Sequence, residues 1–258
     1  ELPAVIVNVQ RGGPGLGNIA PSQAVYFQAT KGGGHGDYHQ IVLAPDSVQE
    51  MHDLTIKAFS LAEKYRNPVM ILTDGRLGQM MEPLTLYQGR PPSMPPKRWA
   101  VNGARKRAPN LIRSLYLVEG ELEALNIKLQ KKYAIIRENE IRWEERLTKD
   151  CDVLLVAYGT SARIAKGAIT AARAAGIRAG LLRPISLWPF PYEKIARLAA
   201  RTMGVLVVEI SSGQMLEDVK MAVNGNTPVF FEGRMGGGVP LESAIIKRIK
   251  AIARRKGK

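Results

Sequence analysis

One cysteine, Cys151, stands in 258 residues, so the chain by itself builds no disulfide framework, no cysteine-ligated zinc finger and no iron–sulfur cluster. A lone thiol fits a reducing compartment, the cytoplasm. No Walker motif, serine elbow or H-E-x-x-H occurs, which removes the commonest phosphate-loop, hydrolase and metalloprotease readings. No run reaches the roughly 18 uncharged apolar residues of a membrane span. No basic segment leads into an apolar core of signal-peptide length. Zinc-finger spacing and the aromatic motifs of RNA-binding domains are missing too. Nucleic acid and membrane are therefore not expected partners. The 37 basic and 23 acidic residues still leave a formal charge of +14, which suits acidic proteins and phosphorylated cofactors. The excess is scattered, with small knots at Arg105-Lys106-Arg107 and Arg254-Arg255-Lys256.

What is present is ordinary for a globular protein: 45% apolar and 23% charged residues. The length suits one large or two modest domains. Ala4 to Val9 is a β-branched run that reads as a strand buried on both sides. Nothing before it offers the neighbours such a strand needs, so the chain is expected to be the C-terminal part of a longer protein or one product of a split frame. A glycine-rich stretch over 11–37 follows, then a short strand at Ile41-Val42-Leu43. Asp46 or Ser47 can cap a helix running to Tyr65, with Glu50 completing a capping box. Asn67-Pro68 ends it, and Val69 to Thr73 is the next strand.

Pro91, Pro92, Pro95 and Pro96 mark a linker, and from Pro109 to Lys149 the chain reads as charged and helical. Leu122, Leu125, Leu129, Tyr133 and Ile136 form its apolar stripe, expected against its own domain or a partner subunit. From Asp152 strands and helices alternate. Thr160 or Ser161 is the expected cap of the first helix, and Gly176 its end. The fold class is α/β, with residues 1–95, 96–150 and 151–258 as first domain, linker and second domain.

The glycine-rich stretch holds the candidate site. Gly15-x-Gly17-x-x-Ala20 matches the dinucleotide fingerprint, but five residues separate it from the strand and Pro21 follows. Arg11 is more telling. It sits just past a strand, where α/β sheets bind ligands, and its fork suits a carboxylate or phosphate. The alternative is Arg11 pairing a carboxylate of its own chain. Gly12 and Gly13 would let backbone and ligand approach closely. His35 and Asp37 lie in a second glycine turn, where His35 can exchange a proton near neutral pH. Asp74-Gly75-Arg76 resembles half of a magnesium-binding G-D-G, with Thr73 in place of the first glycine. Cys151 begins a strand and reads as a packing residue.

Val9 to Gly17 (VQRGGPGLG), Lys31 to Tyr38 (KGGGHGDY), Asn67 to Asp74 (NPVMILTD), VAYGT at 156–160, LRPISLWPFP at 182–191 and EGRMGG at 232–237 together resemble the 2-oxoacid:ferredoxin oxidoreductases over nearly the whole chain. Within that family the 22–30 stretch, Ser22-Gln23-Ala24 to Thr30, favours the branched-chain (3-methyl-2-oxobutanoate) branch, although Val25 stands where an Asp is expected. The 2-oxoglutarate and pyruvate branches, and a non-catalytic module of such a complex, are the alternatives.

The resemblance implies that residues 1–95 are the later half of a pyrimidine-type thiamine-diphosphate domain and 151–258 a transketolase C-terminal-like domain. It implies oxidative decarboxylation of a 2-oxo acid with coenzyme A to acyl-CoA, CO₂ and reduced ferredoxin. Arg11 would meet the substrate carboxylate, with Gly12, Gly13, His35 and Asp37 near the thiamine diphosphate. No metal is expected on this chain. A partner subunit would carry Mg²⁺ and the diphosphate. A gamma-type subunit and a ferredoxin-like subunit would complete the complex, with iron–sulfur clusters on partners only. The family's Y-P-I-T-P motif and the glutamate that protonates the aminopyrimidine are not in this sequence. Half an active site is therefore implied.

Overall fold

The computed structural model describes residues 1–89, 94 and 96–254. Its strands form two sheets. The first is built from β1 (Ala4–Gln10), β2 (Ile41–Leu43) and β3 (Pro68–Asp74), all parallel, in the order β1-β3-β2. The short helix α1 (Tyr26–Thr30) and the long α2 (Val48–Tyr65) connect them. The Ser47 hydroxyl accepts the Glu50 amide at 3.1 Å, and the Glu50 carboxylate accepts the Asp46 amide at 3.0 Å, so the capping box forms, displaced by one residue on its return arm. Arg66 closes α2 in the left-handed region at φ 48°, and Pro68 then opens β3 where a missing N–H is tolerated.

The neighbours that a doubly buried first strand needs are not supplied by the described residues. β1 is an edge strand, paired with β3 alone, and Ile6, Val7 and Val9 are 41%, 57% and 48% exposed. The expected helix over 109–149 is corrected. Residues 111–117 form neither helix nor strand, α3 runs only over Glu121–Asn139, and Trp143–Arg146 form strand β4. Leu111 to Val118 carries one charge, Arg113, and so lacks the paired charges that support an exposed helix. The apolar stripe of α3 sinks into the protein along its length, from Leu122 at 50% exposure to buried Tyr133 and Ile136. Of the linker prolines, Pro91, Pro92 and Pro95 lie outside the described residues, as do Arg255 and Lys256 of the terminal basic knot.

The second sheet runs β4-β6-β5-β8-β9, with β5 Val153–Val156, β6 Ala179–Pro184, β8 Gly204–Glu209 and β9 Val229–Gly233. All its pairings are parallel except β4 on β6. Helices α4 (Gly159–Ala174) and α7 (Glu242–Ala253) cover one face with an Ala- and Ile-rich core. The other face joins a core that continues under the first sheet, past α5 (Tyr192–Ala199) and α6 (Gln214–Val223). The chain also crosses between sheets. β6 ends at Pro184, and Ser186–Trp188 (β7) then pair antiparallel with β2, so adjacent residues of one motif serve both sheets.

An ion cluster locks the same corner. Buried Arg183 donates to Glu50 at 2.6 and 2.8 Å and to Glu144 at 2.6 Å. Lys166 bridges Asp46 at 2.6 Å and Glu144 at 2.9 Å. Cys151 is buried, with its thiol pushed upward by burial, in keeping with a packing role.

Candidate functional site

The carboxyl ends of β1 and β3 meet the amino end of α4 in a buried polar seam. Gln23 is its hub. Its side-chain amide donates to the Tyr158 carbonyl at 2.8 Å. Its Oε1 accepts the Ser161 hydroxyl at 2.7 Å and the Ile210 amide at 2.9 Å. Asp74 accepts the Thr160 hydroxyl at 2.9 Å and the Arg76 and Leu77 amides at 2.9 and 3.3 Å. The expectation that Thr160 or Ser161 caps α4 is therefore corrected. Gly159, at φ 52°, turns the chain so that both hydroxyls reach across to the first sheet. A side chain at Gly159 would also press on the Gln23 amide nitrogen at 3.2 Å. Burial drives the Tyr158 phenol far above its usual range.

The seam's Asp74 is spent on structure. With three donors on one carboxylate oxygen and 1% exposure, it is not a free metal ligand. Among the described residues no group of three His, Cys, Asp or Glu side chains is placed to hold a metal ion.

Beyond the seam lies the glycine loop at 11–20. Arg11 is exposed, and it pairs with no carboxylate among the described residues. Its Nη1 donates to the carbonyls of Leu16 at 2.5 Å and Gly12 at 3.1 Å, and Nη2 reaches Gly15 at 3.4 Å. The guanidinium thus ties the loop from within, while Nε stays outside these bonds. Gly17, at φ 53°, is needed here, because a Cβ would lie 1.9 Å from the Gly12 carbonyl oxygen. The loop also docks on the EGRMGG turn. Asn18 donates to the Gly236 carbonyl at 3.0 Å, and a Cβ at Gly12 would strike the Asn18 side chain at 2.4 Å. Gly13 is exposed in the same loop.

His35 and Asp37 lie elsewhere. Both are exposed on the 31–39 loop, and the Asp37 carbonyl accepts the Gln130 side chain of α3 at 3.0 Å. Asp37 lines a cavity of about 720 Å³ between that loop and α3. No hydrogen bond joins this loop to the Arg11 loop among the described residues. The structure brings Arg11, Gly12 and Gly13 together and sets His35 and Asp37 apart.

A second cavity, about 580 Å³, shares Lys31 and His39 with the first and reaches Trp188, Tyr192 and Arg197. His39 stacks on Trp188 with ring centroids 4.6 Å apart, and burial followed by the Arg137 charge lowers its pKa. Buried Asp218 accepts the hydroxyls of Tyr26 and Tyr192, both at 2.6 Å, and pairs with Lys31. Burial and then Asp218 raise the Tyr26 phenol well above its usual range.

Sequence reasoning missed Gln23, Asp218 and Tyr192. For Gln23 a signal existed: Ser22-Gln23 opens the segment that enters α1, yet both are buried polar residues that need partners.

Two family models match the chain. The family model described as "Pyruvate flavodoxin/ferredoxin oxidoreductase, thiamine diP-bdg" matches residues 1–139, and "Pyruvate:ferredoxin oxidoreductase core domain II" matches 151–244. Ketoisovalerate oxidoreductase subunit VorB of Methanothermobacter marburgensis is 54% identical over 98% of this chain and 72% of its own length. The 2-oxoglutarate synthase subunit KorA of Methanothermobacter thermautotrophicus is 33% identical over 98% of this chain and 74% of its own. Among solved structures, 2-oxoglutarate:ferredoxin oxidoreductase from Magnetococcus marinus superposes with a TM-score of 0.76 and 23% identity, covering 97% of this chain and 49% of that one. At that identity the likeness shows the fold alone.

Proposed function

The chain belongs to the 2-oxoacid:ferredoxin oxidoreductase family, and from that premise we propose that it is a subunit of an enzyme that oxidatively decarboxylates a branched-chain 2-oxo acid. The products would be acyl-CoA, CO₂ and reduced ferredoxin. One observation carries the choice of substrate: identity is 54% to a ketoisovalerate subunit and 33% to a 2-oxoglutarate subunit over the same 98% of the chain.

Thiamine diphosphate supplies the family's carbanion chemistry when bound. The residues of this chain divide the remaining work. Arg11 binds the substrate carboxylate through the N–H groups its loop leaves over, a charge-assisted contact. Exposed Gly13 adds no side chain to the approach to that guanidinium, and Gly12 lets the loop close on Asn18. The Gln23 and Asp74 seam holds the loop's root against α4, so the fork is presented on a rigid base. With Asp74 committed to backbone amides and Thr160, the cation and diphosphate belong to a partner subunit, and the iron–sulfur clusters to others. Asp37 lines the approach from α3, and His35 and Asp37 come near the cofactor only in the assembled enzyme. The work takes place in the cytoplasm. Among the described residues no helix is long and apolar enough to cross a membrane.

The test is reconstitution with companion subunits, followed by ferredoxin reduction on 3-methyl-2-oxobutanoate, 2-oxoglutarate and pyruvate in turn. The branched-chain acid should show the highest kcat/KM. Preference for 2-oxoglutarate would overturn the substrate assignment. No turnover on any of the three would overturn the catalytic reading in favour of a non-catalytic module.

A further inference from the structure

Residues 97–118 join the first sheet to α3 and have no role in the site above. The stretch holds six basic residues, Lys97, Arg98, Arg105, Lys106, Arg107 and Arg113, and no Asp or Glu. It contains neither helix nor strand, yet it is tied down at both ends. Lys97 pairs with Glu63 of α2 at 2.5 Å. The Arg66 guanidinium lies over the Trp99 ring, 4.6 Å from its centroid. At the far end Arg113 pairs with Glu121 of α3 at 2.9 Å.

Side chains fix the middle as well. The Arg107 guanidinium donates to the carbonyls of Gly103 and Ala108, each at 2.8 Å, and to Ala100 at 3.3 Å. The Asn110 amide donates to the carbonyls of Arg98 at 2.7 Å and Ala100 at 2.9 Å. This is a held loop. It nonetheless keeps Val101, Leu111, Leu115, Leu117 and Val118 between 65% and 84% exposed. Arg98, Arg105 and Lys106 lie in the same segment with no carboxylate partner among the described residues. Large exposed apolar side chains and free cations held together in one fixed segment mark an interaction surface.

We propose that residues 97–118 form a docking arm for an acidic partner subunit. The apolar row enters a groove on the partner, and carboxylates at the groove's rim meet Arg98, Arg105 and Lys106. The inference rests on the reading of this chain as one subunit of a larger enzyme. Charge selects the occupant. A second copy would bring another +14 chain and another arm without acids, and like charges face to face oppose association. A nucleic acid would use the cations but leave the five apolar side chains in water, since phosphate contacts are polar.

Two double variants of the full chain separate the parts: Leu115→Asp with Leu117→Asp for the row, and Arg105→Glu with Lys106→Glu for the rim. All four side chains are exposed, so thermal unfolding should match wild type. Each chain is mixed with the companion subunits of the same organism's 2-oxoacid oxidoreductase, and affinity is read by sedimentation at several salt concentrations. The row variant should weaken assembly at least tenfold. The rim variant should slow association and flatten its salt dependence. Wild-type affinity in both variants overturns the arm and leaves the subunit reading intact. A wild-type chain that binds no companion overturns the subunit reading and the arm with it. Self-association of the wild type that the row variant abolishes assigns the arm to a second copy instead. Duplex DNA binding that the rim variant abolishes, with assembly unaffected, assigns it to nucleic acid.

Discussion

In the five-stranded sheet every residue of β5, β6 and β8 is buried, and α4 and α7 close the outer face. In the four-stranded sheet β1 keeps Ile6, Val7 and Val9 in water and leads into Arg11, whose guanidinium is held only by carbonyls of its own loop. Composition does not separate the two regions, since Val153-Leu154-Leu155-Val156 and Val5-Ile6-Val7 are equally apolar. Pairing does. A strand with neighbours on both sides and helices on both faces contributes its apolar area to stability. An edge strand with the same residues contributes less and leaves backbone groups open to other chains.

The largest effect that could break this contrast is in the core. Leu154→Ala, on the central strand of the second sheet, should cost about 2–5 kcal/mol in denaturant unfolding, while Val7→Ala on β1 should stay within about 0.5 kcal/mol. Equal costs would mean that β1 is as deeply committed to the core as β5. Next comes the seam that joins the sheets. Gln23→Leu strands the Ser161 hydroxyl and the Ile210 amide in a buried site, while the Tyr158 carbonyl keeps the Ala162 amide. Even one such unpaired group costs about 1–3 kcal/mol. A neutral result by the same unfolding assay would show that the two sheets are not coupled through Gln23.

The smallest effect is a pH dependence at the boundary between the sheets. His39 on Trp188 has a lowered pKa, so the unfolded chain takes up the proton first as pH falls through its value of about 6.5. Stability should therefore drop on acidification below that point, and His39→Phe, which keeps the stacking ring, should remove that part of the slope. An unchanged slope in the variant would place the titration elsewhere.

The regular elements of both sheets were legible because their signals are local. The capping box at Ser47, the Asn67-Pro68 stop and the left-handed Gly176 act within a few residues. β4 and β7 were not legible. They are four and three residues long, and what makes them strands is the edge of β6 and of β2, supplied by distant sequence. The same reason hid the true role of Thr160 and Ser161, whose hydroxyls satisfy groups 86 and 138 residues away instead of capping their own helix. Arg11 was found from its place after a strand. Its lack of a carboxylate partner required coordinates. Asp218 gave no signal at all, since its phenol donors Tyr26 and Tyr192 lie 192 and 26 residues off.

The most direct test of the open edge as the working end is Arg11→Ala in the assembled enzyme, with thiamine diphosphate affinity measured alongside turnover. Loss of a charge-assisted contact worth about 1.5–3 kcal/mol predicts a fall in kcat/KM for the 2-oxo acid of roughly 10- to 150-fold, with cofactor affinity unchanged. Turnover within about twofold of wild type would contradict the account, because an effect of that size lies far below the loss of such a contact.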